Sequence, residues 1–337
     1  MQRKTFLLLS LLGACGTLLA GCGDKAADAP KAAAAQEESR PVVIYSNADE
    51  EAQKVMKDAL DSHGFKGAYL LQSFGTSELG GKLVAEGKNI EADVVTLSSY
   101  YLDSLQKSQK LFLKLTFPRE PLTATPDFYA PILGNMGALF VNTKVLAQDN
   151  LPRPKAIRDL ANPIYKGHIS VPDIMGSSTS WLMTQAVISD EGEEAGAKTL
   201  QAIEANAGPH LEKSGSAPLK KLRAGEVAVG FGLRHQAVAD NKKGLPIEWI
   251  DPVEGNFSLK EAVAVVDKGQ KTNPKAMQIA ECVVKYGRAE MIKYYPVALY
   301  KGEKVDGENV PANPKEFKEP LTVELLQAHQ KLVKGTN

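Results

Sequence analysis

From Pro41 onward the apolar positions alternate between two spacings. Val42 to Tyr45 is a short β-branched run that predicts a strand. Asp49 to Ser62 then carries Ala52, Val55, Met56, Ala59 and Leu60 at helical spacing, and Gly64 ends it. Tyr69 to Phe74 predicts a second strand, Ser77 to Glu86 a short helix stopped by Gly87, and Asp93 to Leu97 a third strand. A second series begins near residue 133. Gly137 to Asn142, His168 to Val171, Val227 to Leu233, Ile247 to Ile250 and Ala262 to Val266 read as strands. Ser180 to Ile188 and Glu193 to Asn206 read as helices. Two helices close the chain: one capped by Asn273-Pro274, with Ala276, Met277, Ala280, Val283 and Val284, and one over Thr322 to Lys334. Strands and helices alternating at this rhythm predict an α/β fold, a mostly parallel sheet with helices on both faces.

The first forty residues follow a different pattern. A basic start, Arg3-Lys4, precedes an uncharged leucine-rich stretch from Thr5 to Leu19 that ends in Leu19-Ala20-Gly21-Cys22. The stretch is shorter than the roughly 20 apolar residues that span a bilayer. It reads as a secretory signal peptide over 1–21 with a bacterial lipoprotein cleavage pattern, Cys22 being the lipidated residue. Residues 22–40 are small, polar and weakly patterned, and read as a lipidated flexible tether. These features predict an extracytoplasmic, membrane-anchored lipoprotein held by its lipid alone. Gly23 after the cysteine leaves open which membrane holds the anchor.

Composition narrows the class. The chain holds 40 basic and 40 acidic residues. Arg3 and Lys4 leave with the leader, so the remainder carries a net charge near −2. Nothing in this balance suggests a nucleic-acid partner, which would favour a basic face. Cys15 falls in the leader and Cys22 takes the lipid, so Cys282 alone remains for the folded body, which has no disulfide. Cys282 sits at helical spacing with Ile279 and Tyr286 and reads as a small core residue. His63, His168, His210, His235 and His329 show no metal-ligand spacing. Gly-x-Ser-x-Gly, the phosphate-binding GxxxxGK[ST] and HExxH are absent, so no cofactor, metal or enzyme activity is expected.

Candidate chemistry gathers where strands end, the usual place for ligands in open parallel sheets. Small polar residues recur there. Ser46 and Asn47 follow the first strand, Gly75, Thr76 and Ser77 the second, and Ser98, Ser99 and Tyr100 the third. Ser177, Ser178 and Thr179 precede a helix in the second series. Hydroxyls and free N–H groups at a helix start suit an anion. Gly230-Phe231-Gly232 runs into Arg234 and His235; the glycines would allow close approach, and Arg234 would offer a planar fork to phosphate or carboxylate. Glu254-Gly255-Asn256 is a weaker candidate.

These residues resemble the extracellular solute-binding proteins of ABC importers, in particular the ferric-iron, phosphonate and phosphoglycerate group with the periplasmic-binding-protein type II fold. The resemblance covers about 41–300. It rests on Val42-Val43-Ile44-Tyr45-Ser46, on Gly75-Thr76-Ser77-Glu78-Leu79 through Gly87, on Ala92-Asp93-Val94-Val95, on Leu151-Pro152 with Asp159-Leu160, on Tyr165-Lys166-Gly167 with Pro172-Asp173, and on Ala224-Gly225-Glu226-Val227-Ala228-Val229-Gly230. It implies two α/β lobes, 41–132 with 258–337 and 133–257, joined by strands crossing near Pro131–Asn135 and Asn256–Lys260. A small solute would be trapped between them by hinge closure and delivered to a permease and an ATPase, the receptor itself acting as a monomer. Asn135 and Asn256, at the crossings, join the expected site. Ferric binders of the family place a Tyr-Tyr pair where this chain has Arg234-His235-Gln236. That departure favours a small anionic solute (phosphonate, phosphorylated organic acid or carboxylate) over iron. A polyamine- or thiamine-type ligand, an extracytoplasmic enzyme and a sensory role are the remaining alternatives.

Overall fold

The computed structural model describes residues 40–305 and 307–335. The expected leader, Cys22 and all of the tether except Arg40 lie outside the described residues. Among the described residues no helix is long and apolar enough to cross a membrane.

The chain begins with β1 (Val42–Ser46), α1 (Glu50–Leu60), β2 (Tyr69–Ser73), α2 (Thr76–Glu86), β3 (Val94–Ser98) and α3 (Ser99–Gln109). β1 lies parallel to both β2 and β3, as strand–helix–strand connections require. α1 starts because the Asp49 carboxylate accepts the Ala52 N–H at 3.1 Å. It stays because the predicted stripe of Ala52, Val55, Met56, Ala59 and Leu60 is buried. A leucine-sized side chain leaving water contributes about 2 kcal/mol. Gly64, at φ +87°, turns the chain out of the helix where a side chain would be strained.

The middle of the chain forms β4 (Tyr129–Asn142), α4 (Thr143–Gln148), β5 (Ile169–Pro172), α5 (Ser178–Glu191), α6 (Glu193–Ala207), β6 (Leu211–Glu212), α7 (Ala217–Ala224), β7 (Val229–Leu233), α8 (Arg234–Lys242) and β8 (Ile247–Ile250). β9 (Asn256–Val265), α9 (Ala276–Cys282), α10 (Arg288–Tyr294), β10 (Pro314–Lys315) and α11 (Val323–Lys334) complete it. The strands hydrogen-bond in the order β2-β1-β3-β9-β4-β7-β5-β6, with β10 beside β9 and β8 beside β4.

Two strands are longer than their apolar runs predict. β4 begins at Tyr129 rather than Gly137, and β9 at Asn256 rather than Ala262. Residues 129–136 of β4 pair antiparallel with β9, while residues 137–142 pair with β7 and β8. Both expected crossings therefore run inside continuous strands, and the register of the β4–β9 pair shifts between Pro131 and Leu133. α3 and α8 also go beyond the sequence reading. Ser99-Tyr100 and Arg234-His235 are first turns of helices, entered directly from β3 and β7 with no glycine or proline between.

The last helix, expected with the first lobe, touches both α3 and the middle of the chain. α11 packs on α6, an element of the middle segment, and Lys334 bridges Glu204 at 2.8 Å and Asp173 at 2.9 Å. Its Thr322 hydroxyl accepts the Leu325 N–H and caps the helix. Cys282 is buried with its Sγ 3.6 Å from the Ala59 carbonyl, and burial pushes its thiol up to about 11, consistent with a core role.

Candidate functional site

A cavity of about 330 Å³ opens beyond the carboxyl ends of β1 and β2. Two helix starts frame it. α2 begins at Gly75-Thr76, where the Glu78 carboxylate accepts the Gly75 N–H at 3.3 Å. α5 begins at Ser177-Ser178, where the Ser177 hydroxyl accepts the Thr179 N–H at 3.2 Å. The hydroxyls of Thr76 and Ser178 meet at 3.3 Å. Each first turn leaves N–H groups without intrahelical partners at the positive end of a helix dipole. Lys213 and Lys220 add positive charge to the lining, although Lys220 is paired with Glu50 at 2.7 Å.

The inner end of the cavity is acidic. Glu261 enters from β9 and is 2% exposed. Its Oε1 accepts from Asn47 Nδ2 at 3.0 Å and from Asn135 Nδ2 at 2.9 Å. The same Asn47 nitrogen donates to Thr76 Oγ1 at 3.0 Å. Burial, and then the nearby Asp49 charge, push the Glu261 carboxyl up to about 8. Asp49 caps α1 and accepts from the Tyr295 hydroxyl and from Gln236; burial raises its pKa as well. Behind it, burial pushes the His235 imidazole down to about 4, and its ring lies 4.2 Å from that of Tyr295.

Seven of the residues expected from sequence line this cavity: Asn47, Gly75, Thr76, Asn135, Ser177, Ser178 and Thr179. Eight lie outside it. Ser46 is buried against Thr96 at 2.6 Å and accepts the Ala48 N–H, shaping the turn. Ser77, Ser98 and Ser99 do not reach the lining, and Tyr100 points into the core, edge-on to Trp181 at 5.0 Å. Asn256 donates to the Gly137 carbonyl and to Asp251. His235 faces Tyr295 and Asp49 from behind the cavity.

Arg234 is the main correction. Its guanidinium forks onto Asp251 at 2.7 and 3.1 Å, donates to the Asn309 carbonyl and lies 5.5 Å from the Trp249 ring. It is taken up by structure and offers no fork to a ligand. Gly230 and Gly232 serve packing too: a Cβ at either would strike the Phe140 ring, at 2.6 and 2.8 Å. The Glu254 carboxylate accepts the N–H groups of Ile157 and Arg158, capping a turn.

Glu261, Lys213, Ser214 and Ser216 were missed. Glu261 left one signal, an acid directly before an apolar strand. Among the described residues no tyrosine lines the cavity, and no cluster of three or more His, Cys, Asp or Glu could hold a metal.

A model of bacterial extracellular solute-binding proteins matches residues 97–309, more than half of the chain. The chain belongs to this family. Among curated relatives of this solute-binding protein, a Fe(3+)-binding periplasmic protein of Serratia marcescens is 28% identical over 212 residues, 60% of this chain and 59% of that one. The phosphoglycerate transport regulatory protein PgtC of Salmonella typhimurium is 30% identical over 127 residues, 36% of this chain and 32% of that one. The chain thus spans between a third and three-fifths of the length of these two relatives. Its fold matches the periplasmic binding protein AfuA of Actinobacillus pleuropneumoniae, bound to exogenous fructose-6-phosphate, with a TM-score of 0.66 at 19% identity over 88% of this chain and 97% of that one. Iron-bound HitA of Pseudomonas aeruginosa gives a TM-score of 0.66 at 19% identity over 88% and 99%. At such identities the likeness establishes the fold, the two-lobed periplasmic-binding-protein type II architecture.

Proposed function

We propose that this solute-binding protein is the capture subunit of an ABC import system and that its solute carries a small acidic head: a phosphate, phosphonate or carboxylate. One observation carries the reading. The first turns of α2 and α5 face each other across one cavity, with Thr76 and Ser178 hydroxyls 3.3 Å apart. Two helix N-termini opening onto the same cavity suit a negative group. The solute would bridge the lobe built around β1–β3 and the lobe built around β4–β8, and so favour their closure about β4 and β9. The closed form would dock on a permease whose ATPase powers import. The cavity lining supports an acid over ferric iron, because it offers no phenolate. A Cys22 lipid would hold the monomeric receptor on the periplasmic side of a bacterial envelope.

Calorimetry on the mature protein tests the ligand class with phosphate esters, phosphonates, carboxylates, ferric citrate and spermidine. Saturable binding of acids alone supports the reading, while binding of ferric citrate or spermidine alone overturns it. For the anchor, Cys22→Ala should move the protein from the membrane fraction to the soluble extract.

A further inference from the structure

The cavity has a second pole, and it does not suit an anion. Asn47 and Asn135 both turn their amide nitrogens toward Oε1 of Glu261. That carboxylate accepts from both amide nitrogens, which leaves each Oδ1 to find its donor elsewhere. These two Oδ1 atoms and Glu261 Oε2 are buried and have no hydrogen-bond partner among the described residues. Glu261 is 2% exposed and Asn135 8% exposed, and all three side chains line the cavity. An orphaned buried polar atom is destabilising, and these ask for donors from outside the protein: the two amide oxygens at once, and the carboxyl oxygen when it gives up its proton. A primary ammonium brings three N–H donors and no acceptor, which matches these atoms in number and in sign. A hydroxyl brings one donor along with lone pairs that would face acceptors. Asp49, close enough to act on Glu261, strengthens the demand for positive charge.

The two poles are near each other. Asn47 Nδ2 donates at 3.0 Å to both Thr76 Oγ1 and Glu261 Oε1, so those oxygens are at most about 6 Å apart. A chain of two to four bonds between acid and amine fits that separation.

We propose that the solute is a small zwitterion, an acid head joined by a short chain to a primary ammonium, with the ammonium received by Glu261, Asn47 and Asn135. This deepens the capture reading and rests on it.

Matched probes test the proposal by calorimetry: 2-aminoethylphosphonate against ethylphosphonate, O-phosphoethanolamine against ethyl phosphate, and β-alanine against propionate. The three pairs also distinguish the acid heads. In at least one pair the amine should bind at least about tenfold more tightly than its partner, the scale of charge-assisted hydrogen bonds. Glu261→Gln, shown folded by circular dichroism, should erase that difference. Asn135→Ala should reduce it, providing a second variant if the first is unstable. With the Glu261 carboxyl held protonated near neutral pH, the amine should also release a proton on binding, read from buffers of different ionisation enthalpy. Equal binding within every pair, or a preference that survives in Glu261→Gln, overturns the zwitterion but leaves acid capture standing. Binding of no acid at all overturns both.

Discussion

Trp181 donates its indole N–H to Nδ1 of His329 at 2.8 Å, tying α5 to α11. The Gln185 amide nitrogen lies 3.2 Å from the same atom. An imidazole nitrogen that accepts from two donors carries no proton, so the ring is neutral with its hydrogen on Nε2. Burial lowers the His329 pKa, which agrees. Replacing His329 with leucine should leave the indole unsatisfied and lower stability by about 1–3 kcal/mol in urea unfolding. Hydrogen exchange should show α11 loosening ahead of the sheet.

Thr76 and Ser178 should behave as one unit in binding. Thr76→Val keeps shape and removes a hydroxyl, and should weaken the solute by about tenfold at a stability cost near 1 kcal/mol. Ser178→Ala should act alike, and the double variant should lose less than the sum, because the two side chains touch. Additive losses in calorimetry would place the hydroxyls in separate roles.

Arg234 should matter for stability rather than for the solute. Its ion pair with Asp251 is almost fully buried, with side-chain exposures of 4% and 10%. Arg234→Ala strands a buried carboxylate, a change that costs about 3–5 kcal/mol. Solute affinity measured on the folded fraction should stay within about threefold. A large loss of affinity at unchanged stability would return Arg234 to the site.

Stability of the ligand-free protein should fall as pH rises from about 6.5 to 8. Glu261 titrates at about 8 when folded and near its ordinary 4.5 when unfolded. Between these values the folded state holds a proton that the unfolded chain has released, so stability declines with pH, by at most roughly 1.4 kcal/mol per unit. His235 works in the opposite direction: its ring falls from 6.5 to about 4 on folding, so stability is lost as pH drops through that range. The two slopes offset between about 4.5 and 6.5, leaving the decline exposed above. Asp251 and Asp93, held low by Arg234 and by Arg40 after desolvation is overcome, steepen the acid side. Glu261→Gln should flatten the alkaline decline in urea midpoints measured from pH 6.5 to 8; an unchanged slope would assign it to other groups.

Elements with a regular apolar stripe were legible. α1, β8 and α11 form as their spacing predicts. The crossing strands were half legible, because Asn135 and Glu261 interrupt their apolar runs with the very side chains that line the cavity. Arg234 was misread for a different reason. Its partner Asp251 lies 17 residues away across β8, and no local pattern reveals which way a side chain leaves the first turn of α8. Tyr100 shows the same limit, since a tyrosine opening α3 looks available until Trp181 covers it. The sequence marked where polar loops occur, while tertiary packing chose which of them share one cavity.

β4 and β9 carry more than the connection between lobes. Asn135 lies on one and Glu261 on the other, two positions apart in a continuous ladder, with Leu133 opposite Glu261 and Asn135 opposite Leu259. In the closure proposed above, the strands that bend are the strands that hold the acceptors. Sensing and actuation then share one lever: any flexing that separates the lobes also shifts the groups that grip the solute. Such a receptor requires no relay from site to hinge, and substitutions that stiffen either strand would retune affinity without touching the ligand.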